Sequence, residues 1–413
     1  MRPREFVADD HEIDPAHVDS DALYVIRKLN EAGYTAYLVG GSVRDLLVKR
    51  EPKDFDISTS AHPQEIKKIF RRNCFLIGKR FRLAHIKFGK KIIEVSTFRS
   101  GENASDLIVR DNTWGTEEED VIRRDFTING LFYDPFEHKV IDYVGGWEDI
   151  HQKVLRSIGD PIIRFKQDPV RMLRLIKFRA RFGFNIDEQT KQALIATRKE
   201  ITKSSPARIL EEMLRMLESG AAAQFFHLMT QAKMLHLLFP MLTTILETEK
   251  GKQIYDLLQV ADQIHRQQAE SLLSRPILTA CLLFPIVDQE LKKKSVDQDK
   301  CLHLGDVMMA TSSVMKKFVA SSFSLLPRKL STAVSSLITM QFRLTPLSGK
   351  QSIRHKPLSM NEFPEALQFL KMRAALDPDL LKPYKAWNNA WRQHLKKGVH
   401  QKHPHPPPLE KRQ

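Results

Sequence analysis

The sequence predicts an α+β protein: a small mixed-sheet head followed by an all-α neck and body. Three observations carry that reading. Between Thr35 and Phe98, short apolar runs of strand length recur, broken by Gly, Pro and polar turns. After about His151 the strand signals fade and apolar residues recur at helical spacing. The chain has 413 residues, 42% of them hydrophobic, enough for roughly two to four domains.

Residues 1–20 are polar and are expected to be loose, and the head is expected over 21–151. Asp21–Asn30 has apolar residues at helical spacing and runs into a turn at Gly33. Thr35–Val39 reads as a buried strand, Val43–Val48 as a short helix and Phe55–Thr59 as a strand. Pro63–Arg71 reads as a helix, since proline suits a first turn. Leu83–Phe88 and Ile92–Phe98 read as a hairpin around Gly89-Lys90. Glu117–Phe132 reads as one helix with acids in its first turn. A helical neck is expected over 152–205, with a basic amphipathic helix at Asp168–Phe182, and a helical body over 206–395. In the body, Pro206–Leu217 and Gln224–Leu238 form a helical pair around Gly220. Asp288–Lys300 and Thr345–Leu358 read as polar loops, and 396–413 as a disordered His/Pro/Lys tail.

Lysine and arginine outnumber aspartate and glutamate by 65 to 50, a net charge of +15, which suits a polyanionic partner such as nucleic acid. Cys74, Cys281 and Cys301 are too few and too scattered for a disulfide framework or a zinc site, as expected of a reducing cytoplasm. MRPREFVADD has acids where a signal peptide needs an apolar centre. The longest apolar run, Ile277–Val287, contains Pro285 and is too short to span a bilayer, so no membrane association is expected.

The chemistry concentrates in a few stretches. In KDFDIS, Asp54 and Asp56 leave a strand on the same face. Two adjacent carboxylates repel unless a cation lies between them, and Mg²⁺ (or Mn²⁺) suits such oxygen ligands with substrate phosphates. Alone, the pair fits a solvated strand end better than a metal site. Beside it, Gly40-Gly41-Ser42 stands where strand meets helix, a turn whose backbone can approach an anion, with Arg44 and Asp45 just after. Glu94 is an acid inside an alternating strand and needs a partner. In RRDFTING, Asp125 and Asn129 would share a helix face, with Arg124 preceding them. In KQDPVRMLR, Asp168 and Arg171 offer an acceptor and a donor on one face, able to address a nucleobase edge, with Arg174 nearby. Alone, the glycines also fit a tight strand–helix turn, Glu94 an edge position, RRDFTING a helix surface with a local ion pair, and KQDPVRMLR fits a charged helix better than a base-reading site.

Together and in order, LVGGSVRDLL, KDFDIST, EVSTFR, RRDFTIN and DPVRMLR resemble the class II nucleotidyltransferases, that is, bacterial poly(A) polymerases and CCA-adding tRNA nucleotidyltransferases. The resemblance is clear from Ala22 to Phe184 and weaker through SSPARILEEMLRML and MLHLLFPML. It implies a nucleotidyltransferase head, catalytic Mg²⁺ on Asp54 and Asp56, and a triphosphate held by Gly41 and Arg44. It implies that Arg124, Asp125 and Asn129 position sugar and phosphates, and that Asp168 and Arg171 read the base. Either Glu94 or Asp125 would complete the catalytic acids. LIGKRFRLAHIKFG, Leu76–Gly89, resembles the segment that marks the poly(A) branch. The implied activity is template-independent transfer of AMP from ATP to single-stranded RNA 3′ ends, with CCA addition to tRNA and an inactive RNA-binding protein as alternatives. One departure is Gln167, where the family usually carries Glu; it keeps hydrogen bonding but loses a charge.

Overall fold

The computed structural model describes residues 2–78, 83–100, 113–248, 251–267, 273–298, 302–323, 326–346 and 355–400. It divides into two compact units, Met1–Ser204 and Ser205–Gln413. Residues 79–82 of the Leu76–Gly89 stretch, most of the loop expected at 345–358, and the tail from 401 lie outside the described residues.

In the first unit, eight short strands form one sheet: β1 Arg4–Phe6, β2 Ala36–Val39, β3 Asp56–Thr59, β4 Cys74–Ile77, β5 Leu83–Phe88, β6 Lys91–Thr97, β7 Leu131–Asp134 and β8 Lys139–Asp142. Their spatial order is β1-β8-β7-β2-β3-β6-β5-β4. β3 and β6 pair in parallel, and the other pairings are antiparallel. Because side chains alternate along a strand, register decides which residues share a face. Leu38, Ile57, Val95 and Ala84 line up across four strands and are all fully buried. The next row, Val39, Asp56, Glu94 and His85, therefore lies on the opposite face.

The helices of this unit are α1 Ala8–His11, α2 Ser20–Glu31, α3 Gly41–Leu47, α4 Pro63–Phe70, α5 Glu117–Ile122, α6 Gly146–His151, α7 Pro161–Gln167, α8 Val170–Phe182 and α9 Glu188–Thr197. A two-residue parallel pair, β9 Val154–Leu155 with β10 Asn185–Ile186, accompanies them. The Asp19 carboxylate caps α2 by accepting from the Asp21 and Ala22 amides. The helix then presents Ala22, Val25, Ile26 and Leu29 to the core, all fully buried. Pro63 opens α4.

The helix expected over Glu117–Phe132 is three pieces: α5 stops at Ile122, a 3₁₀ turn spans Thr127–Asn129, and β7 begins at Leu131. The Asp125 side chain breaks it. Its Oδ1 accepts from the Phe126 amide at 2.8 Å, and Phe126 is extended (φ −130°, ψ 150°). Local carboxylate-to-backbone bonds of this kind compete with helix. Asp142 plays a matching part at α6, accepting from the amides of Val144, Gly145, Gly146 and Trp147.

The second unit is helical: α10 Pro206–Leu217, α11 Ala222–Gln231, α12 Leu235–Leu238, α13 Pro240–Leu246, α14 Gly251–Gln267, α15 Arg275–Gln298, α16 Leu304–Ser321, α17 Arg328–Leu344, α18 His355–Leu358, α19 Phe363–Leu376 and α20 Leu381–His400. Asp262 caps α11 through the Ala222 and Ala223 amides, and Arg275 of α15 bonds Glu211 and Glu218 of α10. The loop expected at Asp288–Lys300 is helical as far as Gln298. Its charges form a solvated face, paired as Lys292–Asp288 at 2.8 Å, Lys294–Asp306 at 2.9 Å and Lys317–Glu290 at 3.0 Å. Of the tail expected over 396–413, residues 396–400 belong to α20. Among the described residues, no helix is long and apolar enough to cross a membrane.

Gly146 is the tightest joint of the head. A Cβ there would stand 2.2 Å from the carbonyl oxygen of Thr127, so α6 and the 3₁₀ turn meet backbone to backbone. Gly146→Ala is expected to destabilise the protein by about 2 kcal/mol, read by urea unfolding, because an inserted carbon forces rigid backbone apart.

Candidate active site

The open-face row begins with Asp56. It is the first residue of β3, while Asp54 lies two residues before the strand rather than on it. Parallel register sets Asp56 directly opposite Glu94 of β6. Burial, the Glu94 charge and the Asp54 charge together push the Asp56 carboxyl up to about 6, with Arg124 pulling the other way. Asp54, Asp56 and Glu94 thus crowd one place, although solvent reaches all three. Among the described residues, no three His, Cys, Asp or Glu side chains close into a ready-made metal cage.

Beside the acids is the glycine turn. β2 and β3 pair Val39 with Asp56, so Gly40 follows immediately at the strand end. Gly40 has φ +66° and ψ −117°, and a Cβ there would stand 3.1 Å from Arg124 Nη1. The dihedrals favour glycine, and the close guanidinium leaves little room for a side chain. Gly41 opens α3, with Arg44 Nη2 3.7 Å from where its Cβ would be. The Ser42 hydroxyl donates to the Val39 carbonyl at 3.1 Å, which ties the turn down.

Arg44 is buried, not displayed. Its Nε and Nη2 donate to Asp45 Oδ1 at 2.9 and 2.8 Å, and its Nη1 donates to Asn129 Oδ1 at 2.6 Å. The guanidinium also lies 5.0 Å from the Phe178 ring centre and 4.8 Å from that of Phe182. Asp45 accepts further from Arg181 Nη2 at 2.8 Å. Asn129 Nδ2 donates to Asp125 Oδ1 at 2.9 Å, and Arg174 Nε donates to Asp125 Oδ2 at 2.6 Å. Asp125 and Asn129 meet as the sequence predicts, but through a turn rather than along a helix face. Burial alone would raise the Asp125 carboxyl; Arg174, Asn129 and Arg171 outweigh it and hold the group well below the usual carboxylate range.

Asp168 lies at the junction of α7 and α8 (φ −141°, ψ 88°), so it and Arg171 are not on one helix face. They still approach, with Arg171 Nε 3.9 Å from Asp168 Oδ2. The terminal nitrogens of Arg171 donate to the carbonyls of Arg123 at 2.8 Å and Arg124 at 3.1 Å. Arg124 Nη2 donates to Asp120 Oδ2 at 2.7 Å and to Ser58 Oγ at 3.2 Å, and Ser58 Oγ is 3.0 Å from Ser96 Oγ.

Sequence reading passed over four residues that hold this site: Asp120, Arg164, Arg181 and His85. Asp120 is fully buried and carries the spacing that could have revealed it, since Arg123 and Arg124 stand three and four residues on. Arg164 donates to the Ile122 and Arg124 carbonyls at 3.0 and 2.8 Å, and burial lowers it to about 10. Arg181 and His85 act across elements, where local spacing gives no signal.

Comparison with known proteins places both parts of the chain. Residues 36–156 match the family described as the Poly A polymerase head domain, and residues 183–246 match one described as a probable RNA- and SrmB-binding site of polymerase A. Poly(A) polymerase I of Salmonella typhimurium is 34% identical over 391 residues, 91% of this chain and 82% of the relative. A CCA-adding enzyme of Lactobacillus helveticus is 38% identical over 197 residues, 47% of this chain and 49% of that enzyme. The crystal structure of the Bacillus stearothermophilus CCA-adding enzyme in complex with CTP superposes with a TM-score of 0.60 at 25% identity, covering 91% of this chain and 82% of that one. The chain belongs to the poly(A) polymerase family of nucleotidyltransferases.

Asp56 and Asp125 titrate in opposite senses. Ionising Asp56 between about pH 4 and 6 opposes folding, because its folded-state value lies above the ordinary 3.8. Asp56→Asn is expected to leave the melting temperature unchanged at pH 3.5 and to raise it at pH 7 without added metal, read by scanning calorimetry. Asp125 is depressed, so its contribution is present above about pH 4 and is lost as pH falls further. Asp125→Asn is expected to destabilise the protein at pH 7 by about 3 kcal/mol, the lower end for a broken buried pair because Arg174 is partly solvated. That deficit should shrink on acidification.

Proposed function

We propose that this protein is a template-independent poly(A) polymerase, transferring AMP from ATP to RNA 3′ ends with release of pyrophosphate. The observation that carries this reading is the extent of the likeness. In sequence, poly(A) polymerase I aligns along 91% of the chain and the Lactobacillus helveticus CCA-adding enzyme along 47%, while in fold a CCA-adding enzyme superposes along 91%. The net charge of +15 suits an RNA partner gripped through its backbone, with affinity falling as salt rises.

The roles follow from what each group is free to do. Asp54 and Asp56 are hard oxygen donors in an under-compensated negative cluster, as the raised Asp56 carboxyl records, and this suits divalent cations, Mg²⁺ or Mn²⁺. Bound there, such ions would polarise the α-phosphate and lower the pKa of the attacking RNA hydroxyl. Glu94 is the better third acid. It is solvent-accessible and opposite Asp56, whereas both Asp125 oxygens are occupied by Phe126, Asn129 and Arg174. Asp125 then serves to fix Asn129 and Arg174, and through Asn129 the buried Arg44. Gly40, Gly41 and Ser42 let backbone approach the triphosphate, while Arg124 supplies positive charge beside the Gly40 turn. As the family resemblance implies, Asp168 would accept from the incoming adenine and Arg171 would donate to it, with Arg174 alongside, while the terminal nitrogens of Arg171 also brace the Arg123 and Arg124 carbonyls. Catalysis is then mostly placement and charge neutralisation. A cytoplasmic role in mRNA polyadenylation, processing and decay follows from this activity.

Purified protein given each of the four nucleoside triphosphates, Mg²⁺ and two RNAs, one unstructured and one truncated tRNA, is expected to extend the unstructured RNA by many adenylates. Asp54→Ala should lower the rate by about 10²- to 10³-fold, the scale of losing one group that stabilises transition-state charge. Addition of only C-C-A to the tRNA would overturn this reading in favour of CCA addition.

A further inference from the structure

We propose that His85 is a positioning residue that holds the Glu94 carboxylate on the Asp56 side of the sheet. This rests on the assignment of Glu94 as the third acid. Antiparallel pairing sets His85 of β5 directly opposite Glu94, and parallel pairing sets Glu94 opposite Asp56. Three side chains on three adjacent strands thus share one face, where directly opposed residues stand within reach of one another. His85 Nε2 is 3.4 Å from Glu94 Oε1.

The two partners differ in freedom. The His85 side chain is 17% exposed, while that of Glu94 is 49% exposed. Glutamate has three rotatable side-chain bonds, and here one side opens to solvent. Histidine, held between its neighbours, is therefore the anchor and Glu94 the group that needs anchoring.

A purely structural role for position 85 is disfavoured by what histidine brings. Its Nδ1 is buried and has no hydrogen-bond partner. An apolar side chain of similar size would fill the site without leaving a desolvated nitrogen unpaired. The core does not ask for it either: Ala84 and Ile86, on the opposite face of β5, are the residues buried beneath the sheet. What the imidazole supplies here is a polar nitrogen, Nε2, 3.4 Å from the Glu94 carboxylate. Side chains that orient a metal-binding acid set in this way change metal affinity about 10- to 100-fold when removed.

The test is Mn²⁺ binding to the full-length protein in the presence of a non-hydrolysable ATP analogue, followed by calorimetry and by water-proton relaxation. His85→Phe preserves volume and removes the donor, so it guards against loss of fold. It should weaken Mn²⁺ about tenfold and lower kcat with the KM for RNA unchanged. His85→Gln, which keeps an N–H donor, should recover most of the loss. In a Glu94→Gln background, His85→Phe should add no further loss. Unchanged Mn²⁺ affinity in His85→Phe, or an equal loss with and without Glu94, would overturn the proposal while leaving the catalytic assignment standing. If Glu94→Gln itself changes neither Mn²⁺ affinity nor rate, the assignment of Glu94 fails and His85 falls with it.

Discussion

Two carboxylates stand face to face because β3 and β6 run parallel with Asp56 in register with Glu94. Like charges directly opposed on neighbouring strands repel. The head is arranged around that tension. The covered face beneath carries Leu38, Ile57, Val95 and Ala84, whose burial locks the register that brings the acids together. A slip of one residue would relieve the repulsion only by turning this row of apolar side chains out to water. Hydrophobic burial thus holds in place an electrostatic arrangement that would not assemble by itself.

A second set of charges does the opposite work. Arg181, Asp45, Arg44, Asn129, Asp125 and Arg174 form a chain in which each group's partner is already supplied. It joins α3, the 3₁₀ turn and α8. These groups bond one another, so they give rigidity, while the acids of Asp54, Asp56 and Glu94 remain open to solvent. On the proposed roles, the contrast between solvent-accessible acids at Asp54, Asp56 and Glu94 and a saturated Asp125 separates catalytic from scaffolding carboxylates more clearly than their spacing in the chain does.

Much of this was legible beforehand. The strands around Thr35–Val39 and Phe55–Thr59, the hairpin at Gly89 and the helix at Pro206–Leu217 follow from apolar periodicity, and they formed within a residue or two. The misreadings have local physical causes. Glu117–Phe132 looks helical throughout because its apolar spacing never breaks, but the Asp125 side chain captures a backbone amide and ends the helix. Asp288–Lys300 looks like a loop because it is charged, yet those charges pair along and beside a helix. Asp168 and Arg171 meet through a turn rather than along a helix, because Asp168 belongs to the break between two helices. The partners that arrive from distant strands and helices, His85 and Arg181 among them, carry no nearby pattern to read.

Arg164 and Arg171 hold the end of α5 by its carbonyl oxygens at Ile122, Arg123 and Arg124, and not by any side chain there. Every amino acid brings the same carbonyl. The joint between the sheet and the helices beyond it is therefore asymmetric under sequence drift: one side can change its residues freely as far as this contact is concerned, and the other depends on two guanidinium forks that no other side chain reproduces.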